Sequence, residues 1–338
     1  MNRSILWVTG LLSAIILFAS CGSNNSDSKD SFEKAISIND SITLLTQQIQ
    51  KDSTNAELWK VRSELYLRNG NVDFSFRDLN QALDLNNTDP ELFIHLADLY
   101  FTIGKVDNSL SAIKKAISLE PENPYSYLKM AGFQLILQRY PQATAYADKV
   151  IELDQENAKA YYIKAISALE QSDTTNAIVT MKIAANLDTS FYAANLNIAV
   201  LLDTQNDSAA KNYYQKALHN KPDDVIARYS LGMLYQKSKQ FNMAIDTYNK
   251  LIELHPDNAA AHFNIGYIYL TELLEFEKAE EAFSKAIEIK PDYTAAVYNL
   301  GRTYEVMGKT ELAKEKYRDA LKLTTNYSLA IEGLNRLE

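Results

Sequence analysis

Small residues recur through this chain at a nearly constant interval. Ser63, Ala97, Ala131, Ala165, Ala199, Gly232, Gly266 and Gly301 are separated by 34, 34, 34, 34, 33, 34 and 35 residues. A second column, Ser75, Ser109, Ala143, Ala177, Ala210, Ala244, Ala279 and Ala313, falters by one residue at the same two places. A third runs through Ala82, Ala116, Val150, Ala184, Ala217, Leu251, Ala286 and Ala320. Self-similarity at such a period means stacked supersecondary units, none of which can bury its apolar face alone. Larger residues run beside the small ones: Tyr66, Tyr100, Tyr235, Tyr269 and Tyr304 in one register, Tyr214, Tyr248, Phe283 and Tyr317 in another. Two antiparallel helices approach closely only where small side chains face each other, and aromatic rings fill the space alongside. The unit is therefore an αα-hairpin. The deletion between Ala199 and Ala210 and the insertion between Gly266 and Ala279 are expected in the turn joining the two helices.

Proline and glycine agree with that register. Pro121, Pro222, Pro256 and Pro291 stop the second helix of a unit, and Pro90 and Pro124 follow an Asp or Asn as the first helical residue. Gly70, Gly104 and Gly308 fall between the helices, where a positive φ is needed. With 46% hydrophobic and 10% aromatic residues the chain is too apolar for disorder. A single Cys excludes a disulfide framework and a multi-Cys metal site.

Trp59, Tyr66, Gly70 and Ala82 in the first unit, and Leu300, Gly301, Tyr304, Gly308, Ala313, Tyr317 and Ala320 in the eighth, resemble the tetratricopeptide repeat. That resemblance implies an all-α, right-handed superhelical solenoid of about eight helix-turn-helix repeats over residues 56–327. Residues 38–55 read as an N-terminal capping half-repeat and 328–338 as a C-terminal capping helix. Gln134, Ala168 and Leu202 stand where an aromatic is usual, and Arg62 and Lys164 where an apolar residue is usual.

The first residues read as an address. Arg3 precedes an apolar stretch from Ile5 to Phe18, too short to span a bilayer comfortably, which ends in Ala19-Ser20 before Cys21. This resembles a bacterial lipoprotein signal: residues 1–20 are removed, Cys21 is lipidated, and 21–37, rich in Ser, Asn and Asp, form a flexible tether. Phe18 replaces the usual Leu of that motif, and an ordinary secretory signal is the alternative. Acyl chains on Cys21 would anchor the protein to a lipid bilayer. The absence of Asp after Cys21 favours the outer membrane of a Gram-negative envelope, facing the periplasm or the surface.

Catalytic chemistry is not expected. His95, His219, His255 and His262 show no metal spacing, and neither G-x-S-x-G nor a phosphate-binding Gly-rich loop occurs. No catalytic residue, metal, cofactor or small-molecule substrate is expected. A formal charge of -9 opposes nucleic-acid binding.

The expected function is protein–protein interaction. In such solenoids the first helix of each repeat lines the concave side. Its outer stripe holds acidic Glu57, Glu64, Glu91, Asp98, Glu170, Asp203 and Glu305 and basic Lys60, Arg68, Lys129, Lys159, Lys237 and Arg302, so it has no single sign. The clamp by which some tetratricopeptide domains hold a terminal carboxylate is missing, since the first repeat offers Lys60 then Glu64 and the third Tyr125 then Lys129. The more informative column is Asn197, Ser230, Asn264 and Asn299, beside Tyr229, Phe263, Tyr267 and Tyr298. An Asn amide both donates and accepts, so such a ladder can pair with an extended protein or peptide partner in the groove. Solvation of the inner face is the plainer role for it. Two alternatives share the anchor: a surface glycan-binding lipoprotein, which usually needs longer insertions, and a pilotin-like or outer-membrane assembly lipoprotein.

Overall fold

A computed structural model describes residues 37–338; the expected signal, Cys21 and almost all of the tether lie outside them. Every regular element among the described residues is helical, and they fall into two compact units divided between Asp188 and Thr189.

In the first unit, α1 (Ile38–Lys51) precedes four hairpins: α2 (Ala56–Arg68) with α3 (Val72–Leu85), α4 (Pro90–Thr102) with α5 (Val106–Leu119), α6 (Pro124–Ile136) with α7 (Tyr140–Leu153), and α8 (Ala158–Glu170) with α9 (Thr174–Leu187). The second unit holds α10 (Tyr192–Thr204) with α11 (Ala210–Asn220), α12 (Val225–Lys237) with α13 (Phe241–Leu254), α14 (Ala259–Ile268) with α15 (Phe276–Ile289), and α16 (Thr294–Val306) with α17 (Thr310–Leu323), followed by α18 (Ser328–Leu337). The eight hairpins are the eight repeats.

All three small columns are buried. Where the residue is Ser, the helices touch through it: the Ser63 hydroxyl donates to Ser75 O at 2.8 Å, Ser75 to Ser63 O at 2.7 Å, and Ser109 to Ala97 O at 2.8 Å. First helices start on side chains that accept a backbone N–H, Asn55, Asp89, Asn123, Asn157, Asp224 and Asn258.

Each first helix ends on one residue with positive φ: Gly70, Gly104 and Gly308, and elsewhere Gln138, Ser172, Asn206, Lys239 and Leu274. The following N–H reaches back five residues, as Asn71 does to Tyr66 O and Lys309 to Tyr304 O, the Schellman pattern that satisfies orphan carbonyls. The seventh repeat differs. There Glu275 N–H bonds Tyr269 O, six residues back, and Tyr269–Leu273 forms a π-turn. The inserted residue is thus absorbed in the first helix and not in the turn, where the sequence placed it. The deletion is likewise taken up by a helix: α11 begins at Ala210 and spans 11 residues where other second helices span 14. The shortened repeat keeps the five-residue closing bond, Asp207 N–H to Leu202 O, and the seventh lengthens it to six.

Arg62, exceptional in the sequence, is 9% exposed and binds Asp78, itself 2% exposed, through bonds of 2.6 and 2.9 Å. Its third nitrogen donates to Thr46 on α1 at 2.9 Å, so it fastens the capping helix to the first repeat.

Candidate functional site

The face formed by successive first helices differs in the two units. In the first it is mixed: Tyr125 and Ile136 are exposed, and the buried lysines pair with neighbouring carboxylates. Lys60 lies 2.7 Å from Glu57 and 2.6 Å from Glu91, and Lys129 lies 2.8 Å from Asp98. His95, 8% exposed, sits 3.1 Å from the Ser63 hydroxyl through Nε2. Burial, with Lys129, Lys60 and Arg68 nearby, holds it neutral with a pKa of about 4. Burial raises the Asp98 and Glu64 carboxyls, and Lys129 and Lys60 respectively oppose it.

In the second unit more of the same face is apolar. Ile226 is 51% exposed, Met233 43%, Tyr267 36% and Val306 51%. Tyr229 and Phe263 are half-buried and Tyr298 is buried beneath this surface. Rings of the second helices support them: Tyr229 on Tyr248 at 5.9 Å, Phe263 on Phe283 at 5.8 Å, and Tyr298 on Tyr317 at 5.6 Å between centroids. Tyr293 packs on Phe263 at 5.0 Å.

The structure gives the polar column an internal partner. Asn264, 7% exposed, donates through Nδ2 to the Tyr229 hydroxyl at 3.0 Å and the Tyr248 hydroxyl at 3.2 Å, and Tyr248 donates on to Gln236 at 3.3 Å. Ser230 bonds the Tyr214 hydroxyl, which burial holds protonated well above its usual range. Asn299 stands where the ring one repeat back is Phe283, without a hydroxyl, and its amide donates instead to Ala295 O at 2.8 Å. Beyond Tyr317 the column ends in Gly333, where a Cβ would come within 2.6 Å of the ring. Asn197 is 8% exposed. From Ser230 onward the column therefore follows the buried rings: Ser230, Asn264 and Asn299 each lie 16 residues after one, and where the ring has a hydroxyl it is bonded, whereas Asn197 follows Met181 in sequence. The carbonyl oxygens of Asn264 and Asn299 accept no bond among the described residues, and Asn299 also keeps one amide N–H.

The sequence missed this pairing, although Tyr214 and Tyr248 lie 16 residues before Ser230 and Asn264 and the same offset joins Phe283 to Asn299. Among the described residues no group of His, Cys, Asp and Glu is placed to hold a metal, and no helix is long and apolar enough to cross a membrane. A cleft of 510 Å³ in the second unit, lined by Ile287, Pro291, Leu300, Tyr304 and Lys316 among others, contains none of the expected site residues.

Comparison with known proteins agrees with the repeat. Models of the tetratricopeptide repeat match residues 90–123, 134–185, 259–293 and 294–327, and a further TPR repeat model matches 235–272, together just over half of the chain. No protein of curated function matches the sequence. Among solved structures, the C-terminal part of a TPR repeat-containing protein from Cytophaga hutchinsonii is 17% identical, covering 70% of this chain and 98% of its own, with a TM-score of 0.60. PilF of Pseudomonas aeruginosa is 17% identical over 61% of this chain and 94% of its own, with a TM-score of 0.53. YrrB, described as a TPR protein with an unusual peptide-binding site, is 26% identical over 56% of this chain and 97% of its own, with a TM-score of 0.49.

Proposed function

We propose that this chain, which belongs to the tetratricopeptide repeat family, is a protein-binding scaffold of a bacterial envelope. The first-helix face of its second unit captures an extended segment of a partner protein, and lipidated Cys21 holds the molecule at the outer membrane. One observation carries the binding reading: Ile226, Met233, Tyr267 and Val306 are exposed along successive first helices, backed by packed rings, and in the register of Met233 and Tyr267 the first unit has Glu64 and Asp98. Apolar groups on a rigid backing gain from burial against a partner at little cost in side-chain order. The anchor rests on the sequence alone, on the short apolar stretch ending at Cys21.

The test is site-specific photo-crosslinking in intact cells. A benzoylphenylalanine at position 267 should crosslink one reproducible partner, whereas the same group at Lys250, exposed on a second helix, should not. Equal labelling from both positions would refute the binding face. Cys21→Ser should move the protein from the membrane to the soluble fraction; unchanged fractionation would refute the anchor.

A further inference from the structure

Within the second unit Arg228 donates to Pro222 O, and the other charges of the first helices pair, with one exception. Lys237 lies 3.4 Å from Asp203. Arg336 grips Glu305 with two bonds of 3.0 Å, and the Tyr317 hydroxyl bonds the same carboxylate. Arg302, half-buried on the same face, makes no hydrogen bond or ion pair among the described residues.

The register explains the exception. Partners on successive first helices stand 31 residues apart in three cases: Lys60 with Glu91, Asp98 with Lys129, and Glu305 with Arg336. Counting the same interval back from Arg302 reaches Thr271, inside the π-turn, whose hydroxyl donates to Tyr267 O at 2.8 Å. The extra residue of that helix makes Leu270, 3% exposed, the other occupant of the place. Neither supplies a carboxylate. Glu272 lies next in sequence, but its side chain accepts from Thr271 at 3.5 Å and makes no ion pair with Arg302. The Glu305 carboxylate feels the Arg302 charge but is already bonded by Arg336 and Tyr317, so two guanidiniums share one carboxylate and the half-buried Arg302 favours an arriving anion. Apolar surface flanks it: Val306 follows one turn later, and Tyr267 lies at the equivalent position of the preceding first helix.

We infer that the partner segment carries an Asp or Glu side chain between apolar residues, its carboxylate seated on Arg302 and its apolar neighbours on Tyr267 and Val306. This rests on the reading of that face as a peptide site and gives the peptide a chemistry. The unsatisfied carbonyls of Asn264 and Asn299 would accept its backbone N–H groups.

The test uses the full chain in detergent against a random nonapeptide library displayed on phage, with the peptide C-terminus fused so that only side-chain carboxylates are offered. The wild type should enrich peptides with an Asp or Glu between apolar residues. Arg302→Gln should weaken the enriched peptides about tenfold, the scale of a partly solvated charge-assisted bond. Arg302→Glu should select Lys or Arg in their place. Thr271→Glu restores the missing acid without touching Arg302, and should abolish the acidic preference while apolar selection persists. Circular dichroism confirms that each variant is folded, and Thr271→Glu keeps the inference testable if an Arg302 variant is not. Enrichment of apolar peptides with no acidic bias would overturn the inference and leave the binding face standing. No enrichment at all would overturn both.

Discussion

Gly232→Ala should destabilise the second unit although it improves helix propensity. A Cβ on Gly232 would lie 2.5 Å from Tyr248 Cε1 and 2.8 Å from its Cζ, where carbon atoms ordinarily meet at about 3.5 Å or more. The ring would have to retreat by about 1 Å, and it has nowhere to go. Tyr248 is 0% exposed, packs on Tyr229, receives the Asn264 amide and donates to Gln236. Overpacking of this kind costs about 3 kcal/mol at the upper end, and replacing a mid-helix Gly by Ala returns about 1 kcal/mol. A net loss of about 2 kcal/mol is expected. Urea unfolding followed by far-ultraviolet circular dichroism measures it, fitted with a nearest-neighbour repeat scheme because solenoids need not unfold in one step. The reasoning also fixes the partner. The first repeat places Leu79 in the register of Tyr248, opposite Ser63, so a branched aliphatic side chain fits there beside a residue that has a Cβ. Gly232→Ala combined with Tyr248→Leu should therefore lose less than the sum of the single changes, by about 1.5 kcal/mol. An unchanged or raised midpoint for Gly232→Ala, or strict additivity in the cycle, would refute the argument.

Two predictions concern the first unit. Asp78→Ala strands the Arg62 guanidinium and should cost about 3 to 5 kcal/mol by the same assay, whereas Arg62→Met with Asp78→Leu should recover most of that loss, since a buried pair is worth little against apolar packing. His95, with its pKa lowered to about 4 by burial and by Lys129, Lys60 and Arg68, binds fewer protons folded than unfolded between that value and the ordinary histidine range near 6.5. Its contribution is therefore present above that window and lost as the pH falls through it. Asp98 and Glu64, whose carboxyls are raised, contribute with the opposite sign, so the reading is the difference between wild type and His95→Gln across that range; identical pH profiles would sink it.

The hairpins were legible because the features that build them are local and repeated. Small columns at a fixed interval can only be the contact between two helices, and the eight units follow from counting. Where the period slipped by one residue, counting located the slip but not its form. The five-residue closing bond survives the deletion, where the second helix surrenders its first turn, and widens to six residues at the insertion, where the end of the first helix bulges into a π-turn. The division between Asp188 and Thr189 left no mark in the repeat columns, which run through it with an unbroken interval from Ala165 to Ala199.

The register of the polar column was legible, and its contacts were not. Asn197, Ser230, Asn264 and Asn299 were grouped by register, and the aromatic residues beside them do support one face. An amide that can bond a peptide can equally bond a buried hydroxyl, and the choice depends on a residue 16 positions earlier on another helix. Tyr248 takes up the amide of Asn264; Phe283 cannot, and Asn299 turns to its own helix. Asn264 keeps its carbonyl oxygen for a ligand, and Asn299 keeps its carbonyl oxygen and one amide N–H, so the first can accept and the second can accept and donate. An extended chain offers N–H groups on both edges, from alternate residues, so acceptors of this kind set no direction for a bound segment, and its side chains must do so.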